Sequence, residues 1–278
     1  ISLGCGCFTN MELINNNGIK IHIKDINPGE LLYGDIKVTS HITININKEI
    51  EIYKYRNIEV TGDHMVLHNN KWMRISEVYL EENLQGNVEI CEKIVKFVSK
   101  LYCINTSTNE IRANGIIFRD YNETNDKLLL SYINYYVSKE INSNREYKNK
   151  DNLIEYSNHI YPQCFSNKTL TDINNRNNNN IIGKVKILNN DSIKLYNYKG
   201  YVMSGNVLVL EDTTWMRVWE SNLSMSAICE DKYLYHVISD NNEINIGNEG
   251  LKIRDYVESS DDEVNYKINK MICNNLNE

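Results

Sequence analysis

The sequence predicts an all-β protein made of two copies of one module. Three observations predict it. Short runs alternate apolar and polar residues, a long segment recurs without a gap, and strand-like runs outnumber helical ones.

Taken in order, GIKIHIKDI alternates over residues 18–26, and KEIEIYKYRNIEV does so over 48–60. Alternation rich in β-branched and aromatic residues is the period of a half-buried strand. Asn27-Pro28-Gly29-Glu30 is turn chemistry, because proline fixes φ at one turn position and glycine accepts positive φ at the next. The run from 124 to 142 is the helix candidate, with Leu128, Leu129, Tyr132, Ile133 and Tyr136 at helical spacing. A polar stretch follows it, and the Asn-rich run at 174–180 reads as a loop.

Residues 53–74 align with 196–217: Tyr53, Tyr55, Gly62, Val66, Leu67, Trp72, Met73 and Arg74 match Tyr196, Tyr198, Gly205, Val209, Leu210, Trp215, Met216 and Arg217. Residues 101–121 resemble 234–256. A repeat this long implies duplicated domains rather than a solenoid. The expected division is 1–142 and 143–278, with the helix closing the first domain. Trp72, Trp215, Tyr102 and Tyr235 persist in both copies and read as packing residues. Asp120 recurs as Asp255, which suggests a turn or ion pair. Thr61-Gly-Asp-His64 becomes Ser204-Gly-Asn-Val207. The scaffold therefore does without the histidine, and His64 reads as chemistry. His68 reads as a solvent-facing strand residue.

Composition narrows the partners. The 278 residues carry a formal net charge of -7 and no basic run, which disfavours nucleic acid. No apolar stretch is long enough for a transmembrane helix, and no membrane partner is expected. The seven cysteines are irregularly spaced without a CxxC pair, so neither a disulfide framework nor a zinc site is expected. Reduced thiols fit an intracellular setting. No cofactor is implied, and a monomer is expected. The chain lacks an initiating Met and reads as part of a longer precursor.

The chemistry centres on Gly6-Cys7-Phe8. A thiolate is a strong nucleophile near neutral pH, and the carbonyl preceding its own residue is reachable through a five-membered ring. The departing amide nitrogen needs a proton, which a histidine can supply. Thr61 and His64 together offer a hydroxyl and an imidazole for one peptide bond. Cys5, two residues before Cys7, reads as flank or competing nucleophile.

These residues resemble the Hint family, shared by Hedgehog C-terminal domains, inteins and bacterial intein-like domains. Gly6-Cys7-Phe8 is similar to the Hedgehog-type cleavage junction, and Ile23 to Gly29 to the strand and turn after the nucleophile. Thr61-Gly62-Asp63-His64 matches the Thr-x-x-His block. Leu101-Tyr102-Cys103 through Phe118 is similar to a late intein block. The Asn-rich sequence also resembles Hint proteins of large DNA viruses. The resemblance implies a horseshoe of long bent strands and autocatalytic cleavage at Gly6–Cys7 through an N-to-S acyl shift. The upstream polypeptide in cis is then the substrate, with water or a small thiol as acyl acceptor. Cys103 stands where some inteins carry a second nucleophile. Asp120 stands at the possible C-terminal site, where inteins have an Asn that cyclises; full splicing is therefore not expected. No sterol-recognition region follows. The rival reading is an inactive structural or binding protein on a duplicated scaffold. Cys164-Phe165 echoes Cys7-Phe8, but Gln163 precedes it and Val207 replaces the histidine, so no second active site is expected.

Overall fold

The computed structural model describes residues 6–141, 157–159, 161–175, 180–247 and 250–278. Strands dominate it, in line with an all-β class. Its contacts divide into two units, residues 1–125 with 269–278, and residues 126–268. The helix expected to close the first domain is present at Lys127–Glu140 but groups with the second unit. The expected division at 142/143 and most of the Asn-rich run lie outside the described residues. Among the described residues, no helix is long and apolar enough to cross a membrane.

The first unit is organised around a long antiparallel ribbon, Ile36–Tyr55 against Cys91–Thr106, registered from Val38 opposite Thr106 to Tyr55 opposite Cys91. Alternation drives it: Ile36, Val38, Ser40, Ile42 and Ile44 turn inward while their neighbours are more exposed. Two register shifts, after Val38 and after Asn45, are the bulges by which a strand bends. The alternating run at 48–60 is split by Arg56 and Asn57, which take φ of 45° and 71° and turn the chain back as Ile58–Val60. Two residues with positive φ are the favoured hairpin connection. The run at 18–26 gives only a short strand, Lys20–His22, followed by a single 3-10 turn. Gly29 takes φ of 99° in the expected turn.

The first described strand, Phe8–Asn10, pairs on both sides. Phe8 is opposite Val60 on one neighbour and Tyr102 on the other. A second sheet has the order Glu110–Ala113, Ile116–Arg119, Met65–His68, Lys71–Arg74. Contrary to the sequence reading, His68 does not face solvent. It is 2% exposed, with Nδ1 2.9 Å from the Tyr55 hydroxyl and Nε2 2.7 Å from Glu82 Oε1. Strand alternation alone could not reveal this, because Glu82 comes from the helix Ile75–Leu84.

The second unit repeats the plan on a smaller scale. Its ribbon is Ile181–Leu188 against Tyr233–Ser239, and its four-stranded sheet has the order Thr214–Arg217, Leu208–Glu211, Leu251–Arg254, Glu243–Ile246. Val209 lies opposite Ile253 as Val66 lies opposite Phe118. The helix after Arg74 shrinks to a 3-10 turn, Val218–Glu220, after Arg217. The core of this unit gathers Phe165, Tyr198, Val209, Val237 and Ile253.

Candidate active site

Cys7 is held by its backbone rather than its thiol. Its N–H donates to Thr61 Oγ1 at 2.9 Å, and its carbonyl accepts from the Thr61 N–H at 2.9 Å. The threonine hydroxyl thus sits on the nitrogen that would depart if the Gly6–Cys7 bond broke. The turn Thr61-Gly62-Asp63-His64 closes with the His64 N–H on the Thr61 carbonyl at 3.2 Å, which brings the imidazole back over the same bond.

His64 is 1% exposed. Its ring lies tilted against Phe8 at 4.3 Å and meets the edge of Phe118 at 5.5 Å. Nε2 lies 3.0 Å from the Arg119 carbonyl. A carbonyl only accepts, so Nε2 carries the ring proton and Nδ1 the lone pair. Nδ1 is buried and faces the Gly6 backbone without a well-formed hydrogen bond among the described residues. Burial pushes the imidazole down to about 3, opposed by the backbones of Arg119 and Gly6 and reinforced by the nearby Arg74 charge. The ring is therefore neutral at pH 7.

Gly6 lies directly against it. A Cβ on Gly6 would stand 2.2 Å from the Cα and Cβ of His64 and 2.3 Å from its Cγ. No L side chain fits there, so glycine is required by contact as well as by flexibility.

Antiparallel register places Cys103 across from Cys7, one step beyond the Phe8–Tyr102 pair. Both residues are fully buried, and both cysteines are free thiols. Burial and then the adjacent Cys7 thiol raise the Cys103 thiol well above its ordinary range.

The comparison of the two copies holds a further residue that motif reading passed over. Asp63 changes to Asn206 within the same block that loses His64. Its carboxyl is raised by burial, opposed by a hydrogen bond from the Thr61 side chain and by the Arg74 charge. Asp63 thus stands beside the hydroxyl that faces the Cys7 nitrogen.

Asp120 is occupied otherwise. Its carboxylate accepts from the backbone N–H groups of Thr106 at 2.8 Å, Asn122 at 3.1 Å and Glu123 at 3.0 Å. Burial raises its pKa to about 6. Asp255 takes the same three kinds of contact from Ser239, Val257 and Glu258. A role shared by both copies is that of a turn clasp. The conserved tryptophans are packed as expected in part: Trp215 is buried and Trp72 half-buried, each under an arginine, Arg254 at 4.7 Å and Arg119 at 5.0 Å. Cys5 lies outside the described residues.

No family model matches the chain, and no curated protein does. Among solved structures, a DnaB intein from Synechocystis is similar at 17% identity and a TM-score of 0.27, covering 41% of this chain and 98% of that one. A variant of the Ssp DnaB mini-intein is similar at 17% identity and the same TM-score, covering 42% and 95%.

Proposed function

We propose that the first unit cleaves the Gly6–Cys7 bond autocatalytically. The single observation that carries the reading is the reciprocal clamp between Cys7 and Thr61 with His64 pressed against Gly6. The upstream polypeptide is the substrate in cis.

Sγ of Cys7 attacks the Gly6 carbonyl carbon through a five-membered ring, and intramolecularity raises the effective concentration steeply. The lone pair on His64 Nδ1 takes the thiol proton and returns it to the Cys7 nitrogen as the C–N bond breaks. An imidazolium in a site that depresses its proton affinity is a strong acid, which suits protonation of a poor leaving group. Thr61, aligned by Asp63, holds that nitrogen and stabilises the amine as it leaves. The resulting thioester passes to water, to a small thiol, or to Cys103, whose sulfur stands across the strand pair. An Arg119-Asp120 pair without the cyclising amide keeps the reaction one-sided.

A reporter fused upstream of residue 1 tests the reading. The fusion is expected to release the reporter ending at Gly6, faster in dithiothreitol, and Cys7→Ala is expected to stop release. Equal release from both proteins would remove the proposal and leave the inactive-scaffold reading.

A further inference from the structure

The second unit repeats the nucleophile's clamp. The Cys164 N–H donates to Ser204 Oγ at 3.0 Å, and its carbonyl accepts from the Ser204 N–H at 2.7 Å. Phe165 and Tyr235 exchange both backbone hydrogen bonds, at 2.7 and 2.9 Å. The next residues along, Cys164 and His236, therefore form the adjoining non-hydrogen-bonded pair, where Cβ atoms stand about 4.5–5.5 Å apart.

His236 occupies the position that Cys103 holds in the first unit. It is fully buried. Nδ1 lies against the Val237 backbone, 2.9 Å from N and 3.1 Å from O, and Nε2 is buried with no hydrogen-bond partner. Gln163, on the acyl side of Cys164, also has a buried and unpartnered side-chain oxygen. Cysteine, hydroxyl and imidazole are all present, and the imidazole has moved from the turn to the facing strand. The exchange is sterically consistent. Where the turn carries His64, the preceding residue must be Gly6; where it carries Val207, the chain accommodates Gln163.

We propose that the second unit is itself a self-cleaving site, breaking Gln163–Cys164 with Cys164 as nucleophile and His236 as proton carrier. The inference extends the chemistry proposed for the first unit to residues and a product of its own. With Nδ1 protonated and donating to the Val237 carbonyl, Nε2 carries the lone pair; the S–H bond breaks as Sγ bonds to the Gln163 carbonyl carbon, and the proton passes to Nε2. The C–N bond then breaks, and the same proton goes to the Cys164 nitrogen. Thioester and free amine are isomeric with the starting peptide, so no oxidant or cofactor enters, and a thiol or water takes the acyl group. Burial pushes the Cys164 thiol up to about 12 and His236 down to about 4, so the resting site holds an uncharged thiol beside a neutral imidazole.

The test uses the full chain carrying Cys7→Ala, incubated with dithiothreitol near neutral pH and read by intact mass. A fragment beginning at Cys164 is expected to accumulate. Cys164→Ala is expected to abolish it, and His236→Asn to slow it about a hundredfold. Absence of that fragment from the Cys7→Ala chain overturns the proposal, whatever the other variants do. An undiminished yield from Cys164→Ala, or from Cys164→Ser if the alanine variant unfolds, overturns it as well. The cut at Gly6–Cys7 is read separately, in the Cys164→Ala chain, so either reading can fail alone.

Discussion

The two units share a buried polar frame and differ where chemistry is proposed. In the first, Arg74 pairs with Glu123 and donates to the Asp63 carbonyl at 2.6 Å; in the second, Arg217 pairs with Glu258 and donates to the Asn206 carbonyl at 2.7 Å. Glu123 and Glu258 both take positive φ, 60° and 63°, at the turn clasped by Asp120 or Asp255. Gly6, Asp63, His64 and Cys103, by contrast, become Gln163, Asn206, Val207 and His236. Buried charge is tolerated only when paired, so the frame cannot drift one residue at a time. The residues around the cysteine are free of that constraint and have changed together.

The largest expected effect comes from moving one residue of the second unit into the first. His64→Val should slow release of an upstream reporter by about 10²–10⁴-fold, the usual worth of a positioned acid–base group, with the fold intact by circular dichroism. An unchanged rate would mean that the imidazole is scaffold after all. Next is the frame. Glu123→Ala and Glu258→Ala should each cost about 3–5 kcal/mol in urea unfolding, because each leaves an arginine buried without its partner. A large loss in one unit only would break the equivalence of the two frames.

Acid stability sharpens the comparison further. The unfolded chain binds a proton on His64 near 6.5 and the folded one only near 3, so stability is full above 6.5 and falls as the pH drops through that window. Asp120, raised to about 6, works in the opposite direction between its ordinary value and 6. His64→Gln removes the first effect alone. Relative to the parent, it should gain on the order of 3 kcal/mol in unfolding free energy between about pH 6.5 and 4. Smallest is Asp63→Asn, which takes the acidic partner from the Thr61 hydroxyl and should slow release about tenfold, the scale of one hydrogen bond. A pH profile that flattens in this variant would separate a role in alignment from one in packing.

Much of this was legible in the sequence. Alternation announced the ribbon, and the gapless repeat announced two modules, because a frame of buried pairs preserves spacing. His64 could be picked out as a candidate by what the second copy lost, and Cys7 and Thr61 by the short motifs that carry them. Three things could not. His68 is met by Glu82, which the helix after the next strand folds back over it, and strand alternation does not encode that return. The grouping of the Lys127–Glu140 helix with the second unit depends on tertiary contacts that its own period does not encode. Cys164 looked inert because its turn lacks histidine, whereas the imidazole opposite it comes from a strand some seventy residues on, at a position where the first copy has a cysteine.

The missing space beside His64 has a consequence for whatever protein is joined upstream. In the proposed reaction, the residue before the nucleophile is one at which His64 refuses any bulk. A single carbon atom then acts as a steric gate, and a Gly6→Ala fusion is expected to be turned away.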